Sequence, residues 1–205
     1  MDVRDLTLRR ANHSLPDMTP HNRLIELLAQ RSARRGEFVL ASGRTSTLYI
    51  DARLTTMSPE GLVLIGTLGV EVLGETGWLV DAVGGLTLGA DPIAYAISYA
   101  SMLAGSPLRA FTVRKEAKMH GTGRLVEGPF REGDRVAIVE DVITTGGSAL
   151  RAATAVRAAG GQVAGVLALV DREEGGRATL EAEGLQVRSI VRADEIVARM
   201  TKAIP

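Results

Sequence analysis

The chain has 205 residues, 45% of them apolar and only 3% aromatic, with 24 acidic side chains balancing 24 lysines and arginines. That length suffices for one well-buried α/β unit with a small accessory piece, and the even charge argues against a chain-wide polyanion surface and hence against nucleic acid as a partner. The absence of cysteine excludes disulfides, thiol catalysis and zinc–thiolate sites, and no apolar run approaches the roughly 18 residues that a membrane-spanning helix needs.

Residues 1–18 are polar, charged and without periodicity or a signal-like apolar segment; they read as an extension, with a cytoplasmic location expected. Residues 19–205 read as a single domain. Thr19-Pro20 marks a helix start, with an apolar face of Leu24, Leu27 and Leu28, and the pattern predicts a helix to about Arg34, stopped by Gly36. Phe38–Leu40 and Leu48–Asp51 are strand-like and are joined by a turn over Ser42–Ser46. Ser58-Pro59-Glu60 opens a second helix, running to about Gly74. Leu79–Val83 reads as a strand, Gly84–Gly89 as a bend, Pro92–Leu103 as a helix and Leu108–Val113 as a strand. A polar loop then extends from Arg114 to about Gly133. Val136–Val139 is a strand, Ala149–Ala159 a helix stopped by Gly160-Gly161, and Val163–Val170 a continuous apolar strand. Apolar strands alternating with helices predict an α/β fold with a parallel sheet flanked by helices on both faces.

Ligands bind such sheets at the carboxyl ends of strands. Four polar segments follow strands here, and all are expected to converge on one cleft: Gly84–Gly89, Arg114–His120, Glu140–Ser148 and Asp171-Arg172. The most informative is Val136-Ala-Ile-Val-Glu-Asp-Val-Ile-Thr-Thr-Gly-Gly-Ser148. Its apolar run ends in two adjacent acids, Glu140 and Asp141. After Val142 and Ile143 comes a loop of Thr144, Thr145, Gly146, Gly147 and Ser148, and then a helix begins. Backbone N–H groups and small hydroxyls at a helix N-terminus favour a phosphate. Two neighbouring carboxylates repel each other and need an outside partner, such as sugar hydroxyls or a metal ion. The segment has neither the Gly-Lys-Ser/Thr of a Walker loop nor the spacing of a dinucleotide fingerprint. The bland alternative is a tight turn made by two glycines.

A second cluster is Arg114-Lys-Glu-Ala-Lys-Met-His-Gly-Thr-Gly-Arg124. The chain has only three lysines, at 115, 118 and 202, and two of them fall here. An arbitrary charge run is usually a solvated loop. This one follows a strand, is mostly positive and contains glycines, so it suits a mobile cover that neutralises a charged leaving group and excludes water. His120 joins it as a hydrogen-bond donor.

The Val136–Ser148 segment resembles the PRPP-binding motif of type I phosphoribosyltransferases. The word Arg-Lys-Glu-Ala-Lys-x-His-Gly-Thr-Gly is similar to the flexible catalytic loop of the orotate phosphoribosyltransferases within that family. Phe38–Ser46 with Tyr49–Asp51 resembles the family's N-terminal hood strands, Gly84–Pro92 its bend near the pyrophosphate, and Val170–Arg172 the strand end whose arginine meets the orotate carboxylate. The resemblance spans about residues 20–200. It implies the type I phosphoribosyltransferase fold, a parallel sheet with a small N-terminal hood. It also implies transfer of the phosphoribosyl group of PRPP to orotate in pyrimidine (UMP) biosynthesis.

Residue by residue, the resemblance implies that Arg114, Lys115, Lys118 and His120 bind the diphosphate. Glu140, Asp141, Val142, Ile143, Thr144, Thr145, Gly146, Gly147 and Ser148 hold the ribose and its 5′-phosphate, with Lys118, Lys115, His120 and Asp141 closest to catalysis. Thr144 and Arg172 contact orotate; a guanidinium offers a two-pronged match to a carboxylate. The ordinary alternative for Arg172 is an ion pair with Asp171 or Glu173. Mg²⁺ is expected to ride mainly on PRPP, with no dedicated protein metal site. The family's loop reaches into the neighbouring subunit, which implies a homodimer. Three departures stand out: Ala41 and Leu88 replace lysines of some relatives, and Glu140 replaces an aspartate. Another base as acceptor, or a regulator of this fold without catalysis, are the rival readings.

Overall fold

The structure, a computed structural model, describes residues 18–39, 45–116 and 124–200. Expectations placed on the N-terminal extension, Ala41, Lys118 and His120 fall outside these residues. Helix α1 (Pro20–Leu27) opens as its sequence dictates: the Thr19 hydroxyl accepts the N–H of Asn22 at 3.2 Å, and Pro20 occupies the first turn. It does not continue to Arg34. The chain passes through one π turn (Leu28–Ser32) and straightens at once into β1 (Ala33–Val39), which pairs antiparallel with β2 (Thr45–Ile50). Tertiary contacts override the helical pattern here. The Ser32 hydroxyl meets Thr55 Oγ1 at 2.8 Å in a buried contact, and its carbonyl accepts the N–H of Asp51 at 2.9 Å. Gly36 therefore lies inside a strand, at an irregularity in register between Arg35 and Phe38, and not at a helix end.

The hairpin leads into a single helical turn, α2 (Arg53–Thr56), and then α3 (Pro59–Glu75). Ser58 caps α3, accepting the N–H of Gly61 at 3.1 Å. The main sheet has six strands in the order β5-β4-β3-β6-β7-β8. They are β3 (Ala82–Leu86), β4 (Arg109–Val113), the two-residue β5 (Val126–Glu127), β6 (Arg135–Ile143), β7 (Gln162–Asp171) and β8 (Val187–Arg192). All neighbours are parallel except β5, which runs antiparallel at the edge beside β4. The remaining helices are α4 (Ala90–Leu103), α5 (Gly147–Ala158), α6 (Gly176–Ala182) and α7 (Ala193–Met200).

Strand periodicity splits the core into two layers. Val83, Ala137, Val139, Leu167 and Leu169 face α1, α3 and α4, whereas Ala82, Val136, Ile138, Val166 and Ala168 face α5 and α6. Strand β3 sits three residues later than its apolar run suggests. Leu79 is solvent-exposed, while Gly84 and Gly85 are buried strand residues and not part of the bend. Their lack of a side chain is what the strand needs: a Cβ at Gly84 would lie 2.1 Å from the Phe111 carbonyl oxygen, and one at Gly85 2.0 Å from that of Val139. The bend itself is confined to Thr87, Leu88 and Gly89.

Candidate active site

Strand β6 does not stop at Val139. It carries the acid pair within the sheet, with Glu140 opposite Ala168 and Ile143 opposite Asp171 of β7. A main-chain ladder therefore fixes the two carboxylates. Glu140 is held up to about 8, first by burial and then by the charge of Asp141, and its Oε2 is buried without a hydrogen-bond partner. Burial also raises Asp141, offset by the N–H of Val142 donating to its Oδ1 at 2.9 Å. The Asp141 carboxylate packs on Gly89, where a Cβ would come within 2.5 Å of it. Bend and acid pair thus form one wall.

That wall belongs to a cavity of about 280 Å³, which also includes Tyr49–Arg53 of the hood side, Lys115 and Ser148. Beyond the acids, Gly146 turns the chain with φ 83° to start α5, and no side chain caps that helix. Its first N–H groups remain available to an anion, as expected for the Thr144–Ser148 cradle. Arg172 is 93% buried one strand over, immediately after β7. Its Nη2 donates to Ser46 Oγ of the hood at 2.9 Å and to Glu174 Oε1 at 2.5 Å, and its Nε is buried without a partner. Asp171 and Glu173 are not its partners. Asp171 accepts from Arg177 Nε at 2.8 Å and from the N–H of Glu173, bracing the turn.

The structure therefore brings Glu140, Asp141, Val142, Ser148 and Lys115 together on one cavity wall. Ile143, Thr144, Thr145, Gly146, Gly147 and Arg172 do not line it, although they follow or flank the same strand ends. Arg114 turns elsewhere: its Nη1 lies 3.7 Å from Glu127 and its Nε 3.4 Å from the Glu116 carbonyl. Two features escaped the sequence reading. Asp91 accepts from Thr87 at 2.6 Å and Thr112 at 2.9 Å, tying the bend to β4; the Gly-Ala-Asp-Pro word contained it without showing its partners. Arg53 enters the cavity from α2, a turn that carries no periodic signal. Among the described residues no cluster of three or more His, Cys, Asp or Glu side chains could hold a metal ion. Two adjacent carboxylates, one with an unpartnered oxygen, suit a cation whose remaining ligands come from a substrate.

An acid pair on a central strand, an uncapped helix N-terminus next to it, and a hood over the same sheet edge define a phosphoribosyltransferase-type site. Comparison with known proteins agrees. A solved orotate phosphoribosyltransferase of Mycobacterium tuberculosis in complex with PRPP superposes with a TM-score of 0.74 at 41% identity, covering 87% of this chain and 99% of that one. The orotate phosphoribosyltransferase of Aquifex aeolicus is 46% identical over 183 residues, 88% of this chain and 99% of the relative. That of Synechocystis is 43% identical over 193 residues, 94% of this chain and 96% of the relative. No family profile matches the chain. With relatives this similar along nearly its whole length, the chain belongs to the orotate phosphoribosyltransferase family.

Proposed function

We propose that the chain transfers the 5-phosphoribosyl group of PRPP to orotate, giving orotidine 5′-monophosphate and pyrophosphate in UMP biosynthesis. The observation that carries this is the part-buried Glu140–Asp141 pair, fixed by the sheet between the bend and the uncapped start of α5. The pair exchanges hydrogen bonds with the ribose hydroxyls, and the 5′-phosphate sits on the Thr144–Ser148 N–H groups. Arg172 takes the orotate carboxylate, since its buried Nε lacks a partner.

As the C1–O bond to pyrophosphate breaks, positive charge develops on the ribosyl carbon and negative charge on the leaving oxygens; the orotate nitrogen then closes on C1 and its N–H proton passes to the released pyrophosphate. The protein orients both partners and stabilises that charge, with no covalent nucleophile. Lys115 lies at the cavity wall, where an ammonium neutralises the departing diphosphate. Lys118, His120 and Arg114 of a second copy share this role. Glu140 and Asp141 are the residues that would approach a Mg²⁺ carried mainly by PRPP, and the ion would supply further charge neutralisation.

A homodimer fits the surface. Between α3 and α4 lies an apolar groove of about 480 Å³ lined by Leu62, Val63, Tyr95, Tyr99 and Leu103, and Tyr99 and Leu103 are about 70% exposed. A second copy of the chain would bury them. Arg114, directed to Glu127 and not to its own cavity, is consistent with a loop that serves the neighbouring site. Among the described residues no helix is long and apolar enough to cross a membrane, and a cytoplasmic location remains the proposal.

The test is to mix the protein with PRPP, Mg²⁺ and orotate and follow the ultraviolet loss of orotate, with adenine, hypoxanthine and uracil in parallel. Loss of orotate alone, reversed by pyrophosphate, is the expected result. Turnover of a different base would refute the role given to Arg172.

A further inference from the structure

Arg53 stands in the cavity without a role in the scheme above. Asp51 presets its guanidinium in a two-pronged pair, Nε to Oδ1 at 2.8 Å and Nη2 to Oδ2 at 2.9 Å, and the Arg53 backbone N–H also reaches Oδ1 at 3.2 Å. Two of its five side-chain N–H groups are thereby used. The side chain is 49% exposed and shares the cavity wall with Glu140, Asp141, Lys115 and the bend. It is close enough to Asp141 for each charge to favour the other. Opposite it, the bend offers only Thr87, Leu88 and Gly89, none of them charged. Leu88 is half-exposed and adjoins Arg53 along this cavity and the shallower apolar one beside it.

With the acid pair taken up by ribose hydroxyls, the diphosphate on C1 projects into a cavity whose described cations are Arg53 and Lys115 alone. A guanidinium with three free N–H groups, already oriented by a carboxylate two residues earlier, matches a diphosphate oxygen pair at little entropic cost. We propose that Arg53, preset by Asp51, binds the diphosphate of PRPP from the hood side and supplies the positive charge that the bend lacks. This rests on the phosphoribosyl-transfer reading and adds to it a substrate contact outside the loop and the acid pair.

The experiment compares Arg53→Gln, Arg53→Lys and the double variant Arg53→Gln/Leu88→Lys with the wild type. Readouts are the KM for PRPP and for orotate, kcat, thermal stability, and PRPP–Mg²⁺ binding by calorimetry without any acceptor base. Arg53→Gln is expected to weaken PRPP by about tenfold in KM and in direct binding, with the orotate KM within about twofold. Arg53→Lys recovers part of the loss, and so does Leu88→Lys in the double variant, because it returns a cation from the facing wall. Unchanged PRPP binding in Arg53→Gln with a lowered melting temperature would overturn the proposal and leave a structural ion pair. A rise in the orotate KM alone, or a double variant no better than Arg53→Gln, would equally overturn it. The binding arm needs no turnover, so it separates a failure of this contact from a failure of the orotate reading.

Discussion

Glu140 is forced to choose between charge and burial. Held near 8, it keeps its proton at neutral pH, so beside Asp141 it can donate a hydrogen bond to an adjacent hydroxyl. The same shift acts on folding. Between the ordinary glutamate value of 4.5 and about 8, the folded chain binds this proton more tightly than the unfolded chain does. Its contribution is fully present below that window and is lost as pH rises through it. Thermal unfolding of the ligand-free protein should show stability falling from pH 5 to 9. Glu140→Gln should flatten that fall and gain most at pH 9; an equal gain at both ends would show that burial is not what raises the group. At the other substrate, Arg172→Ala removes a charged hydrogen-bonding partner worth roughly 1.5–3 kcal/mol. The expected result is an orotate KM raised about ten- to a hundredfold with the PRPP KM nearly unchanged. Steady-state kinetics with each substrate varied in turn reads this directly.

Individual elements show where sequence pattern and tertiary structure part. The helix start at Ser58 was legible because capping is local, and Ser58→Ala should cost about 1 kcal/mol in chemical denaturation. The Val136–Ser148 segment was legible for a related reason, since strand, acids and cradle are contiguous. Strand β3 was misplaced because Leu79 belongs to an apolar run yet lies in solvent, and because two glycines look like a bend until the neighbouring strands are known. Gly85→Ala should therefore destabilise on the order of 3 kcal/mol, since its Cβ meets backbone and no side chain can swing away. A melting temperature close to that of the wild type would contradict this packing. The early end of α1 depends on Ser32 meeting Thr55, a contact between distant parts of the chain that no local pattern encodes. The short elements α2, α6, α7 and β8 lacked a period long enough to read, and Arg53 was hidden with them.

At the scale of the whole molecule, the proposed homodimer can be tested both through the apolar groove and through the loop residues assigned to a second chain. Leu103→Glu places a charge in the exposed groove between α3 and α4. It should yield a monomer by light scattering, with activity lost although the fold is retained by circular dichroism. Mixing Lys118→Ala chains with Arg172→Ala chains should recover activity, because a mixed dimer contains one site with both residues intact. No recovery on mixing would confine each site to its own chain.

The parallel pairing of β6 with β7 has a practical side. Glu140 and Asp141 lie on one strand, and Arg172 follows the next, with Ile143 opposite Asp171. The separation between the proposed sugar anchor and the proposed base anchor is therefore set by one strand spacing, about 4.8 Å, together with an offset of three to four residues along the strands, roughly 10–13 Å, and by no loop. Anyone seeking to redirect this scaffold to a different acceptor can change side chains at 144 and 172 but cannot lengthen the reach between the anchors. Acceptors that keep the orotate distance from ring nitrogen to anionic handle are the ones expected to suit such redesign.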